Sequence, residues 1–170
     1  AQDAMPTTRG LNFWLEDPNL AFVCATVLDA GTLERARPHL VELGRIAGDE
    51  LEALAADADR NPPVLRPYDA SGQRVDAIEF HPAYRAMERL AYERFGLAAM
   101  SHVDGVLGWP GRVPHAVKYA LSYLFSQSEF GLLCPVNMID STARMLRRYW
   151  SPALQARSVP RLTATALAGR

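Results

Sequence analysis

The sequence predicts a mainly α-helical domain that carries one small β-hairpin. Apolar residues recur at three- and four-residue intervals over most of the chain, which is the periodicity of amphipathic helices. Glycine and proline residues lie between these segments, at positions typical of helix ends. The exception is the stretch 61–82, where Pro62, Pro63 and Pro67 exclude a helix. With 170 residues, 49% of them hydrophobic, the chain is long enough for one compact core.

Charge and cysteine content argue against several functional classes. Lys plus Arg (18) nearly balances Asp plus Glu (19), so no net field attracts phosphate backbones, and we expect no nucleic-acid binding through this domain. No uncharged apolar run of about 18 residues predicts a membrane span. The first ten residues lack the pattern of a signal peptide, so we expect a cytoplasmic protein. Cys24 and Cys134 lie in apolar segments and are predicted to be small buried hydrophobes.

A short buried helix is predicted near the N-terminus. Asp17 and Pro18 form a start signal ahead of the apolar run from Leu20 to Leu28, and Gly31 is placed as the C-terminal cap.

A second helix is predicted from Pro38 to Asp59, with Pro38 in its first turn, where a missing N–H costs nothing. Gly44 and Gly48 lie one turn apart and each weakens a helix by about 1 kcal/mol relative to alanine. They indicate a close helix crossing or a bend, and a break into two helices is an equal alternative.

A β-hairpin is predicted in the stretch that excludes a helix. Asp69 to Gly72 has the composition of a turn and is flanked by the extended segments Val64–Tyr68 and Arg74–Phe80. The alternation of apolar residues in the second arm is imperfect. We therefore expect an irregular ribbon that lies against the helices.

Four more helices are predicted in the second half of the chain. They cover Pro82 to Gly96, Val113 to Phe130, Leu132 to Trp150, and Pro152 to about Leu162, where Pro160 is expected to end or kink the last one. The middle two are apolar around most of their circumference. They form either a central pair wrapped by other helices or a pair covered partly by another domain.

No motif in the chain predicts a self-sufficient reaction, so no catalytic or metal-binding residue is assigned. The histidines lack a second histidine or cysteine at metal spacing and are predicted to have structural or surface roles: His39, His81, His102 and His115. His81, before Pro82, is a candidate cap for the following helix. Ser126 and Ser128 are predicted to be packing residues.

The segment from Gly131 to Met138 has two interpretations. A glycine and Pro135 at a helix start place Cys134 and Asn137 on the first turn, where free N–H groups converge. These residues either face a ligand or belong to a capped buried helix in which Asn137 bonds backbone. The spacing alone favours the second interpretation.

Two stretches resemble the acyl-CoA dehydrogenase superfamily. SPALQARSVPRLTA, Ser151 to Ala164, resembles the end of its N-terminal helical domain, although Ser158 and Val159 depart from the usual pair. The stretch from Asn61 to Tyr84 resembles the hairpin insertion of the adaptive-response, AidB-type branch, which also has the Cys-Pro helix start matched by Cys134 and Pro135.

The resemblance implies an orthogonal helical bundle. It implies an N-terminal arm at 1–16, a helical domain at 17–165 with a hairpin insertion at 61–81, and a flavin-binding β-domain and C-terminal helical domain that this sequence is expected to lack. In the full-length protein it implies FAD, an acyl-CoA substrate and a homotetramer. FAD binding by this chain alone is not expected, and its cofactor-binding residues are unassigned.

The resemblance also nominates a wall of the acyl pocket. The positions that match the family's pocket lining are Leu133, Cys134, Asn137, Met138 and Ser141. The leading hypothesis is therefore the N-terminal domain of an FAD-dependent dehydrogenase that acts on the α,β bond of an acyl-CoA and supplies pocket wall and oligomer contacts. The alternatives are an assembly module of an AidB-like alkylation stress-response flavoprotein, with its DNA contacts in the C-terminal part, and a free-standing helical protein.

Overall fold

The computed structural model describes residues 7–165, which form helices and one two-stranded antiparallel sheet, as predicted. The helices are α1 (Pro18–Val27), α2 (Ala30–Ile46), α3 (Glu52–Arg60), α4 (Pro82–Glu88), α5 (His115–Ser126), α6 (Leu133–Tyr149) and α7 (Pro152–Leu162). The strands are β1 (Val64–Tyr68) and β2 (Arg74–Glu79). Within the described range no helix is both long and apolar enough to cross a membrane.

Helix α1 begins as predicted but is not buried. The Asp17 carboxylate accepts a hydrogen bond from the Leu20 N–H at 2.8 Å, which satisfies a free donor of the first turn. Cys24 is the buried residue of this helix, whereas Phe22 is 72% exposed. Gly31 does not cap α1, because it lies inside α2.

Helix α2 begins before Pro38, contrary to the prediction. Asp29 caps it by accepting from the Thr32 N–H at 2.9 Å, and Pro38 lies inside the helix. Proline there leaves the carbonyl one turn back without its usual donor. The chain continues through a π-helical turn, Ala47–Leu51, into α3, so the two glycines do not break it.

The close approach predicted at the two glycines exists, but its partner is the N-terminal arm instead of a helix. The Gly48 carbonyl accepts from the Gly10 N–H at 2.7 Å, and the Gly44 carbonyl accepts from the Phe13 N–H at 3.1 Å. A Cβ on Gly48 would lie 1.9 Å from the Leu11 carbonyl oxygen. Both glycines are therefore required by contact with backbone.

The hairpin has the predicted strands but not the predicted packing. Leu65 pairs with Ile78, and the register shifts at a bulge between Arg66 and Tyr68. Asp69 closes the turn by accepting from the Ser71 and Gln73 N–H groups. All residues of both strands are exposed, so the ribbon projects from the helices.

Helix α4 and the π-helical turn that continues it, Arg89–Arg94, bury the predicted stripe. The buried residues are Ala83, Met87, Leu90 and Ala91. The segment ends at Gly96, whose φ of +58° is a left-handed conformation that glycine adopts without strain.

The two apolar helices of the second half differ in their coverage. Helix α5 packs against α1 and α2 and buries most of its length, although Tyr119 and Tyr123 stay exposed. Helix α6 packs against α7 and α5 but leaves an apolar face open. Pro160 lies within α7 and does not end it. Within residues 7–165, α5 is mostly covered and α6 only partly, and coverage by another domain stays a prediction.

Replacing Gly48 with alanine should lower the free energy of unfolding by about 1–3 kcal/mol, because the added methyl group overlaps the Leu11 carbonyl and displaces the arm. Gly31→Ala is the matched control: its Cβ makes ordinary contact with Asp29 Oδ1 at 3.4 Å, and alanine favours a helix by up to about 1 kcal/mol. Urea unfolding compares the two variants. Equal stability of both would contradict the close approach.

Candidate functional site: an apolar groove on helix α6

An open groove of about 560 Å³ follows the exposed side of α6 and the turn before it. Its lining contains every residue nominated for the pocket wall, joined by Phe130, Thr142 and Met145: Phe130, Leu133, Cys134, Asn137, Met138, Ser141, Thr142 and Met145. Leu133 is buried, whereas Met138 is 64% exposed. The structure thus brings the nominated residues together, and their role towards a ligand stays a prediction.

Helical spacing explains why these residues share one face. Cys134, Met138, Ser141 and Met145 follow one another at intervals of four and three residues, which places their side chains on one side of α6. Val136, Asp140 and Ala143 belong to the opposite side and are buried. Because both sides carry apolar residues, sequence periodicity does not distinguish the groove from the core.

The sequence predicted free N–H groups at the first turn of α6, but the structure shows that they are paired. The Leu132 N–H donates to Glu129 Oε1 at 2.8 Å, and the Leu133 and Cys134 N–H groups donate to the carbonyls of Phe130 and Gly131. These donors are therefore occupied within the chain. The polar groups that the groove offers are the side chains of Asn137, Ser141 and Thr142.

The two cysteines differ, contrary to the prediction that both are buried. Cys24 is 2% exposed, and burial raises the pKa of its thiol. Cys134 is exposed at the groove. Because the thiolate is the reactive form, the structure makes Cys134 the accessible thiol of the described chain.

A buried ion network, which was not predicted from the sequence, holds the opposite side of α6. Lys118 of α5 is fully buried, and its Nζ lies 2.5 Å from Asp140 Oδ2. The Nε2 of His102 lies 2.8 Å from Asp140 Oδ1 and 3.1 Å from the Asp140 carbonyl oxygen, so an Nε2–H donates to both. The available signal was Lys118, the one charged side chain of α5, and Asp140, the one carboxylate of α6, since a charge in an apolar helix needs a partner.

Hydrogen bonding and charge determine the ionisation of Asp140. Burial by itself raises its pKa, but the hydrogen bond from His102 and the charge of Lys118 outweigh burial and lower the pKa to about 2. The carboxylate is therefore ionised and joins α5, α6 and the loop that carries His102.

The histidine and the serines for which structural roles were predicted make structural contacts. His81 caps α4, because its Nδ1 accepts from the Ala83 N–H at 3.3 Å. Ser128 Oγ donates to the Ala47 carbonyl at 2.7 Å, and Ser126 Oγ donates to the Tyr123 carbonyl at 2.7 Å. No group of three or more His, Cys, Asp or Glu side chains in residues 7–165 is arranged to hold a metal ion.

Solved structures of larger proteins share this fold. One is Bd2924 in its apo form, with a TM-score of 0.80 and 29% identity over 92% of this chain and 30% of that one. Another is Caenorhabditis elegans ACDH-11 in complex with C11-CoA, with a TM-score of 0.74 and 24% identity over 97% of this chain and 28% of that one. The chain thus shares its fold with part of each of these larger proteins.

The sequence comparisons are more specific. Residues 4–167 match the model of the adaptive response protein AidB N-terminal domain, and the chain belongs to that family. It is 31% identical over 155 residues to the putative acyl-CoA dehydrogenase AidB of Escherichia coli K12, covering 88% of this chain and 27% of that protein. It is 27% identical over 154 residues to acyl-CoA dehydrogenase family member 11 of Caenorhabditis elegans, covering 89% of this chain and 24% of that protein. The chain spans about a quarter of the length of these relatives.

Replacing Lys118 with methionine should lower the free energy of unfolding by about 3–5 kcal/mol, because it leaves a buried carboxylate without its cation. Urea unfolding measures the loss. Lys118→Met combined with Asp140→Asn should be less destabilised than Lys118→Met alone, and an equal loss in both would show that the ion pair is not the cause.

The acid stability of the chain should depend on Asp140. Its folded pKa of about 2 lies below the ordinary value of 3.8, so its stabilisation is complete above about pH 4 and is lost as the pH falls towards 2. Asp140→Asn should remove this part of the pH dependence. The test is the urea midpoint of both proteins at about pH 5, 4, 3 and 2. An identical dependence of the midpoint on pH in the two proteins would refute the prediction.

Proposed function

We propose that the chain is the N-terminal domain of an FAD-dependent, acyl-CoA dehydrogenase-like oxidoreductase and supplies one wall of its acyl pocket. The observation that carries the proposal is the open apolar groove of α6. The reaction in the full-length protein is the α,β-dehydrogenation of an acyl-CoA.

The lining of the groove suits an acyl chain. Phe130, Leu133, Met138 and Met145 give it an apolar surface, and methionine side chains adapt to chains of different shape. Each methylene group that leaves water contributes about 0.8 kcal/mol. Asn137 and Ser141 supply the few polar groups that orient a ligand in such a site.

An acyl-CoA of medium chain length is the ligand to test first. The relatives in Escherichia coli and Caenorhabditis elegans are named as acyl-CoA dehydrogenases, and the structure of ACDH-11, which shares this fold, contains C11-CoA. These names support the substrate class. The choice of acyl chain in this protein is part of the proposal.

The groove does not fit FAD. Its lining contains no charged side chain to meet the diphosphate, and its polar groups are few. We therefore assign flavin binding to the β-domain and C-terminal helical domain proposed for the full-length protein. FAD bound there would supply the hydride acceptor that α,β-dehydrogenation requires.

The residues of this chain act by binding and positioning. Met138 and Met145 cover the acyl chain and exclude water, while Asn137 and Ser141 limit its orientation. No residue of this chain is proposed to move a proton or a hydride. The catalytic carboxylate is placed in the C-terminal part of the full-length protein.

Other exposed apolar residues suit contacts with the rest of a homotetramer. Phe22, Val23 and Val27 form an open surface on α1, and Leu65 and Ile78 form another on the hairpin. Exposed apolar patches of this kind mark interaction surfaces. The remaining domains and the other subunits, in a cytoplasmic assembly, are their proposed partners.

A second candidate is an assembly module in an AidB-like alkylation stress-response flavoprotein. The family's description as an adaptive response protein favours it. The formal net charge of −1 gives this domain no general attraction for DNA, so the DNA contacts are assigned to the C-terminal part.

Flavin absorbance of the purified full-length protein separates the two candidates. Bleaching of the flavin band on anaerobic addition of an acyl-CoA supports the dehydrogenase. Bound flavin that no acyl-CoA bleaches supports the assembly module and overturns the proposed reaction.

Met138→Asp should weaken acyl-CoA binding by the full-length protein by at least about tenfold, because it places a charge in the path of the acyl chain. Leu15→Asp is the control, since it removes an apolar side chain of similar exposure, 66%, in the N-terminal arm and outside the groove. The measurement is the Kd for one acyl-CoA, determined by calorimetry for the unchanged protein and both variants. Equal affinities of Met138→Asp and the unchanged protein would contradict an acyl chain in the groove.

Cys134 should report on the occupancy of the groove. In the native protein it should react with a thiol reagent much faster than buried Cys24, and an acyl-CoA should slow that reaction. Cys134→Ser should abolish the fast phase, and Cys24→Ser should retain it. A fast phase that saturating acyl-CoA leaves unchanged would place the ligand elsewhere.

A further inference from the structure

A second pocket, of about 270 Å³, lies beside the C-terminal half of α6. Its lining is basic and polar: Ser101, His102, Arg112, His115, Arg144, Arg147 and Arg148. None of these residues lines the apolar groove, although both sites share α6. We propose that this basic pocket binds the phosphate group of a small phosphorylated ligand.

The positive charge of the pocket is only partly compensated. The lining contains no carboxylate. Arg144 lies 3.8 Å from Asp140 Oδ2, but that oxygen is closer to Lys118, at 2.5 Å. The Arg148 guanidinium lies over the face of the Tyr149 ring at 5.5 Å and pairs with no carboxylate in the described part of the chain, so its charge is available to an anion.

Arg112 and Arg147 are positioned differently. Arg112 reaches Asp104 at 3.7 Å, an exposed pair that contributes little and exchanges readily for another anion. Arg147 is fixed, because it donates from NH2 to the His102 carbonyl at 2.8 Å. One guanidinium is thus held in place while others can close around a ligand.

Two buried polar groups of the lining have no hydrogen-bond partner among residues 7–165. They are Ser101 Oγ and Arg147 Nε, and Ser101 as a whole is 7% exposed. An unpaired buried donor is costly, so such groups indicate a missing partner. Ser101 lines the pocket, so its orphaned hydroxyl lies beside the proposed ligand.

Phosphate matches this set of donors better than other ligands. Its tetrahedral oxygens accept from several directions at once, and the planar guanidinium fork pairs with two of them. An apolar ligand would leave the orphaned donors unpaired. The volume suits a phosphate or diphosphate group, with any larger part of the ligand outside the pocket.

Calorimetry on the 170-residue chain at low ionic strength tests the proposal, with inorganic phosphate, pyrophosphate and coenzyme A as probes and succinate as a carboxylate dianion. We expect saturable binding of a phosphate compound at one site per chain, and weaker binding of succinate. Pyrophosphate binding at least as tightly as coenzyme A identifies free phosphates as the source. Tighter coenzyme A identifies the phosphate groups of a larger ligand.

Arg148→Gln should weaken the binding about tenfold, because it removes a charge-assisted hydrogen bond. Arg45→Gln is the matched control, since Arg45 is an exposed arginine near the end of α2 and outside the pocket. Ser101→Ala should weaken binding several-fold, with circular dichroism confirming that each variant is folded. Unchanged affinity in Ser101→Ala would overturn the role of the orphaned hydroxyl.

The proposal is overturned if no phosphate compound binds saturably, if succinate binds as tightly, or if Arg45→Gln weakens binding as much as Arg148→Gln. These outcomes are independent of the proposed function. Met138→Asp alters the groove and should leave the affinity for phosphate unchanged. The proposal for either site can therefore be refuted while the other stands.

Discussion

The ion pair between Lys118 and Asp140 is the constraint on which the position of α6 depends. It joins two helices through groups that are almost fully buried, and His102 adds a contact from the loop before α5. Removing either charge alone leaves the other without compensation in a medium of low dielectric constant. One side of α6 is thereby fixed, and its apolar opposite side is held open to solvent in a defined orientation.

Both candidate sites follow from this arrangement. The groove uses the outward side of α6, where Met138 and Met145 lie, and the basic pocket uses its last turns beside His102 and Arg112. The residues proposed to bind a ligand therefore lie on a helix whose opposite side is held by an ion pair. A site supported in this way loses less entropy on binding than one on a mobile loop.

The N-terminal arm is held to the helices by backbone contact. Gly44 and Gly48 remove the side chains that would separate the arm from α2, and Trp14 is buried in the core next to them. The two glycines one turn apart predicted a close helix crossing, a bend or a break, and the structure shows a close approach, but to the arm. The sequence did not identify the partner, because any backbone can occupy the space that a missing Cβ leaves.

The sequence by itself determined the helical class, the hairpin and most helix boundaries. These depend on local periodicity, on capping residues such as Asp17 and on turn residues such as Asp69, whose effects act within a few positions of the chain. It placed the start of α2 at Pro38 because Pro38 is a good first-turn residue, whereas the stronger cap at Asp29 begins the helix earlier.

Only the tertiary structure decided which apolar surfaces are buried. Cys24 and Cys134 have similar neighbours in sequence, but one lies in the core and the other at the groove. The partners of Lys118 and Asp140, and the convergence of arginines around Ser101, also required the fold. Burial and charge pairing depend on residues distant in sequence. A local pattern therefore shows that a buried charge needs a partner but does not identify that partner.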